Sequence, residues 1–153
     1  MSAASAGTEG FVPGRHPIDA YGAGGFRFAG MSHIGSILAT PTGVRAFPPL
    51  KPADITIASL APLLAELAEN PRSIEILVVG TGEKMALLSA PVKARLKEAG
   101  LRVEAMATGP AARVYNVLLG ETRRVAAALI AAPRSSGYRR AESRDRYVSR
   151  AKL

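Results

Sequence analysis

Cysteine is absent from the chain, which excludes disulfides, thiol nucleophiles and thiolate-bound metals. Only two histidines are present, His16 and His33, and they leave little material for a zinc site. Tryptophan is missing and aromatic residues reach only 5%, so a stacking platform for single-stranded nucleic acid is not expected. No apolar run approaches the roughly 18 residues that a membrane-spanning helix needs. What remains is 153 residues, 48% of them apolar, with a mean hydropathy of +0.13. That composition rules out a wholly disordered chain. The length fits one domain able to bury about two-thirds of its unfolded surface.

The net charge of +8 is unevenly spread. Residues 1–17 carry only Arg15 and Glu9, which cancel. Residues 18–132 hold twelve Lys or Arg against nine Asp or Glu, close to an ordinary surface. The last 21 residues hold seven basic side chains (Arg134, Arg139, Arg140, Arg144, Arg146, Arg150, Lys152) against Glu142 and Asp145. The high pI therefore describes a tail more than a domain. Three parts follow: a flexible leader over 1–17, a folded domain over 18–132, and a basic, disordered or loosely helical tail over 133–153. The leader has neither the basic-then-apolar order of a secretory signal nor the arginines of a transit peptide.

Within the domain, Phe26–Ala29, Ser36–Thr40 and Val44–Phe47 read as short strands, the last two joined as a hairpin through Pro41-Thr42-Gly43. Beyond Ile57 the period lengthens. Leu60, Leu63, Leu64 and Leu67 mark an amphipathic helix that stops before Asn70-Pro71. Glu75–Val79 is a continuous apolar run of the kind buried on both sheet faces. A helix over Pro91–Ala99 and a strand over Leu101–Met106 complete a βαβ unit, which predicts parallel strands. Thr108-Gly-Pro110 opens another helix, with Thr108 or Gly109 expected as N-cap and Val114, Val117 and Leu118 as its buried stripe. Val125–Ile130 is read as a strand on its length, against the helical preference of its alanines. The expected fold is a single α/β domain: a mixed sheet, antiparallel at the N-terminal hairpin and parallel in the βαβ part, with helices packed on it.

Gly80-Thr-Gly82-Glu-Lys84 follows a buried strand but fails as a nucleotide loop. Met85 stands where a dinucleotide fingerprint needs glycine, and Lys84 lacks the preceding glycine and following Ser or Thr of a phosphate loop. Topology offers a better site. Gly80, Thr81 and Gly82 on one loop and Thr108 on another lie at the carboxyl ends of adjacent parallel strands, where open α/β sheets bind ligands. The helix after Thr108 would present backbone N–H groups, Arg113 would pair with an anion, and Tyr115 and Asn116 follow. The plainer reading gives the glycines to turn geometry, Arg113 to solvent, and Tyr115 and Asn116 to packing or capping.

Elsewhere the residues favour the plain reading. His33 has no neighbouring carboxylate and reads as a hydrogen-bonded loop histidine; Glu121 beside Arg123 and Arg124 reads as a tie between a helix end and the next strand. There is no G-x-S-x-G elbow and no carboxylate pair in an expected cleft, so no catalysis, cofactor or metal is expected. The tail residues Arg139, Arg140, Arg144, Arg146 and Arg150 could neutralise phosphates of nucleic acid or an anionic membrane, or simply be solvated.

Several segments in order carry a family resemblance: Gly35–Gly43, Glu75–Gly82, Val103–Thr108, Ala111–Glu121 and Arg124–Ile130. Together they resemble the Mth-like domain family over about Ile18 to Ile130. Gly80, Thr81, Gly82, Arg113, Tyr115 and Asn116 fall on its motifs; Ala112 and Val114 stand where the family often has Cys and Thr, so a role resting on that thiol is absent. The resemblance implies a compact α/β domain that dimerises or binds a related partner. It also implies a non-catalytic role in assembling a membrane-embedded respiratory complex, by analogy with a mitochondrial member. The expected protein is thus a cytoplasmic binding or assembly factor, peripheral to the inner membrane if its tail engages that surface. The alternative is a small anionic-ligand binder or weak enzyme using the Gly80/Thr108 crevice.

Overall fold

The change of hydrophobic period near Ile57 separates a strand-forming half from a helix-and-strand half, and the two halves share one central sheet. The computed structural model describes residues 11–133 and 137–141. In chain order the strands of the first half are β1 (Phe11–Pro13), β2 (Ile18–Gly22), β3 (Gly25–Phe28), β4 (Met31–Ile34), β5 (Ser36–Thr40) and β6 (Gly43–Phe47). Then come α1 (Ala61–Glu69), β7 (Ile76–Gly80), α2 (Ala90–Glu98), β8 (Arg102–Met106), α3 (Thr108–Gly120), β9 (Val125–Leu129) and the two-residue β10 (Arg139–Arg140).

The main sheet has six strands in the order β1-β6-β5-β9-β7-β8. β5 pairs antiparallel with β6 and β9, whereas β7 runs parallel to β8 on one side and β9 on the other. The mixed sheet and the parallel βαβ unit are therefore as expected, and β9 is the central strand joining the antiparallel and parallel parts. Every residue of β5, β7 and β9 is buried, because both faces of the sheet are covered. One face packs Leu38, Leu77, Val79, Ala126 and Ala128 against Leu60, Leu63 and Leu67 around α1 and Val92 and Leu96 of α2. The other packs Ile37, Val78, Ala127 and Leu129 against Ala111, Ala112 and Tyr115 of α3.

A second, antiparallel sheet, β10-β2-β3-β4, was not foreseen. Its turns are Ala23-Gly24 and Ala29-Gly30, with all four residues at positive φ, the geometry that matches the twist of two-residue hairpins. Alanine at the first of these positions hides a turn that asparagine or aspartate would have announced. Ile18, Tyr21, Phe26 and Phe28 from this sheet join the α3-side core.

Several local expectations change. Phe11–Pro13, inside the segment expected as a leader, pairs with β6. The N-cap of α3 is Ala107 rather than Thr108 or Gly109. Of the expected stripe, Val114 and Leu118 pack half-buried against the core but Val117 is exposed, and the fully buried side of α3 runs through Ala111, Ala112 and Tyr115. Arg123 and Arg124 pair with Glu75, at 3.3 Å and 3.7 Å, rather than with Glu121, which is the exposed C-cap of α3. The Arg123 guanidinium holds the Glu75 carboxyl below the usual carboxylate range. Arg139 and Arg140 of the basic tail form β10 against β2; Arg144, Arg146 and Arg150 lie outside the described residues.

Candidate functional site

Three strand ends meet where the crevice was expected. Thr108, at the end of β8, is fully buried, and its hydroxyl accepts the Gly82 N–H at 2.9 Å and donates to Ile130 C=O at 2.7 Å. Its own N–H donates to Gly82 C=O at 2.8 Å. One threonine thereby ties the ends of β7, β8 and β9 together, which is why its side chain is not spent on capping α3. Thr81 organises the loop that follows: its hydroxyl donates to Lys84 C=O at 2.7 Å and accepts the Ala86 N–H at 3.0 Å. Gly80 is required by closeness, since a Cβ there would lie 2.9 Å from both Thr108 Oγ1 and Leu129 Cδ2. Gly82 sits at φ +100°, a conformation that side chains rarely adopt.

Beside this knot lies an open cavity of about 350 Å³, lined among others by Tyr21, Gly82, Glu83, Gly109 and Arg139. Gly80, Thr81, Gly82 and Thr108 are thus brought together, but both hydroxyls are engaged within the protein. The start of α3 also offers less than expected. The Thr108 N–H is bonded to Gly82, Pro110 has none, and Ala111 N–H returns to Ala107 C=O, so Gly109 supplies the one open N–H of that turn among the described residues. Tyr21 and Arg139 line the cavity as well, although sequence alone offers Tyr21 no place in a site and assigns Arg139 only to the basic tail. They arrive through β10 and β2, and no local signal places them there.

Arg113 does not line this cavity. Its Nη2 stands 3.5 Å from the Tyr21 hydroxyl, and its buried Nε has no partner among the described residues. Tyr115 and Asn116 belong to a different contact. Asn116 clamps β2 in both directions: Oδ1 accepts the Ile18 N–H and Nδ2 donates to Ile18 C=O, each at 2.8 Å. The buried Tyr115 hydroxyl donates to His16 C=O at 3.3 Å, and burial pushes its phenol up to about 12, opposed by Arg15. Both side chains are thus engaged within the protein, through bonds to the backbone of residues 16 and 18. His33 lies in β4, half-buried, with Nε2 3.2 Å from Ser36 C=O. No group of three His, Asp or Glu able to hold a metal occurs among the described residues, and no described helix is long and apolar enough to cross a membrane.

The fold and this crevice define the class: an α/β domain, with three α-helices among the described residues, whose mixed sheet opens a cavity at the carboxyl ends of its parallel strands. Residues 18–130 match the family described as a protein of unknown function (DUF498/DUF598), and the chain belongs to that family. It is 38% identical to an uncharacterised protein of Rhodobacter capsulatus, over 78% of this chain and 88% of that one. It is also 35% identical to the NADH dehydrogenase [ubiquinone] 1 alpha subcomplex assembly factor 3 of Danio rerio, over 78% of this chain and 66% of that protein. The chain thus spans just under two-thirds of that assembly factor. Among solved structures, an outer membrane protein from Bartonella henselae shares 43% identity at a TM-score of 0.73, covering 78% of this chain and 98% of that one. A Bordetella pertussis protein solved as a Mth938-like domain shares 36% identity at a TM-score of 0.65, covering 76% and 85%. The family includes proteins named as complex I assembly factors, so an assembly role exists at the family level.

Proposed function

We propose that this chain is a non-catalytic binding factor that assists assembly of a membrane-associated complex, a respiratory complex of the complex I type in particular. The observation that carries the reading is the likeness to the assembly factor of Danio rerio across 78% of this chain. The fate of the polar residues at the strand ends supports it. Thr81 and Thr108 are consumed in holding loops, which suits a scaffold better than a reaction centre. The protein would act in the cytoplasm, against the inner membrane, with Arg144, Arg146 and Arg150 adding attraction to an anionic surface or an acidic partner. Affinity purification of the full chain from gently solubilised cells, with partners identified by mass spectrometry, tests this. Subunits or assembly proteins of a respiratory complex are expected. Recovery of ribosomes and nucleic acid alone, released by salt, would overturn the reading in favour of plain polyanion binding.

A second reading is favoured by the cavity: a small anionic ligand held by Arg139, the Tyr21 hydroxyl and the Gly109 N–H, with Glu83 at the rim opposing excess negative charge. A screen of anionic metabolites by thermal shift should then find a stabilising ligand whose effect is lost in Arg139→Ala. A flat screen would remove this reading and leave the first untouched.

A further inference from the structure

β8 is an edge strand of the main sheet, and its outer side is unpaired among the described residues. Arg102 N–H donates to Glu75 C=O at 3.0 Å and Met106 C=O accepts the Thr81 N–H at 2.8 Å, so residues 102, 104 and 106 direct their backbone groups toward β7. By the alternation of a parallel ladder, Val103 and Ala105 turn N–H and C=O outward. Their side chains lie on the α2 face, where an apolar groove of about 500 Å³ runs beside the edge. Met85 and Leu87 stand in that groove 54% and 73% exposed, and Lys93 and Lys97 add their aliphatic stems. A five-residue edge with open backbone groups and uncovered apolar side chains is a template for another strand.

The charges on β8 say which strand. Arg102 and Glu104 share the opposite face, 3.1 Å apart as an exposed ion pair. When β8 meets a second β8 antiparallel, only outward-facing residues can form the hydrogen-bonded pairs, so the allowed registers shift in steps that keep 103 or 105 opposite an odd-numbered residue. Centring on Val103 places Arg102 of each copy directly opposite Glu104 of the other, in the closely spaced non-hydrogen-bonded positions. Shifting by one step to pair Val103 with Ala105 would place Glu104 against Glu104, which is unfavourable. We propose that β8 is the interface with a second copy of this chain, paired antiparallel about Val103 by two Arg102–Glu104 contacts, with the two apolar grooves merging on the α2 side. This interface is separate from the Gly82/Thr108 crevice and does not rest on the assembly reading.

Sedimentation velocity of the full chain over a concentration series tests it, with folding followed by circular dichroism. The wild type should dimerise reversibly. Arg102→Glu and Glu104→Arg should each weaken self-association by at least about tenfold, because each sets like charges opposite. Mixing the two variants should restore a dimer, since one copy then carries acid at both positions and the other carries base at both. Val103→Pro should give a folded monomer, because that N–H faces away from β7 and its loss costs the sheet no internal bond. A wild type that stays monomeric throughout overturns the proposal and leaves the edge to a different partner. So does a dimer that tolerates both charge reversals, or a mixture that fails to associate. If Val103→Pro does not fold, the mixing experiment still decides.

Discussion

With its hydroxyl between Gly82 N–H and Ile130 C=O in a fully buried position, Thr108 holds three strand ends through one side chain. Thr108→Val keeps the shape and removes both bonds, leaving a buried donor and a buried acceptor unpaired. A loss of about 2–3 kcal/mol is expected, read by urea denaturation, while Thr108→Ser should retain most of the stability. Tyr115 makes a pH-dependent contribution of definite sign. Its phenol is raised from 10 to about 12 by burial, so the folded state favours the neutral form. That contribution is fully present below about pH 10 and is lost as pH rises from there toward 12. Between roughly pH 9 and 11, wild type should lose about 1.4 kcal/mol relative to Tyr115→Phe. Parallel denaturation curves of the two proteins at both pH values check this, and equal losses would refute the assignment.

At the scale of elements, the unusual feature is β9, Val-Ala-Ala-Ala-Leu, buried throughout at the centre of the main sheet. Its alanines allow close approach from both faces. Ala127 shares the α3-side core with Ala111 and Ala112, whereas Ala126 and Ala128 face the α1 and α2 side. Ala127→Leu has no space to enter and should cost about 1–3 kcal/mol, seen as a lowered Tm. The α3 helix also secures β2, through Asn116. Asn116→Leu removes the paired bonds to Ile18 and leaves that strand's backbone unsatisfied. Amide exchange should accelerate in β2, β3 and β4 while β5, β7 and β9 stay protected. Uniform acceleration would mean that the second sheet is not a separable unit.

For the whole molecule, the βαβ half was legible because its periodicities are long and uninterrupted: the leucine stripe of α1, the apolar run of β7 and the Gly-bounded α2. The hairpin β5–β6 was legible from Pro41 to Gly43. β2 and β4 were not, because each is short and interrupted in pattern, and their turns use Ala-Gly. The candidate site divides the same way. Chain order alone brought Gly80, Thr81, Gly82 and Thr108 to adjacent strand ends, since parallel strands joined by a helix must end on the same side. It could not show that the hydroxyls of Thr81 and Thr108 are engaged, that Arg113 stops short of the cavity, that Asn116 bonds to Ile18 of β2, or that the Tyr115 hydroxyl bonds to His16 C=O.

Local sequence therefore determined the α/β class, the parallel unit, the alanine-rich strand over 125–130 and the motifs of the family, because hydrophobic period and turn residues act over a few neighbours. Tertiary structure alone decided the second sheet, the arrival of Tyr21 and Arg139 at the crevice, and the pairing of Glu75 with Arg123 and Arg124. The hairpins of that sheet are local, but its β10 strand and the other contacts join segments separated by 48 residues or more, as Glu75–Arg123 is, and no local pattern encodes which distant backbone or charge will fill a given hydrogen bond.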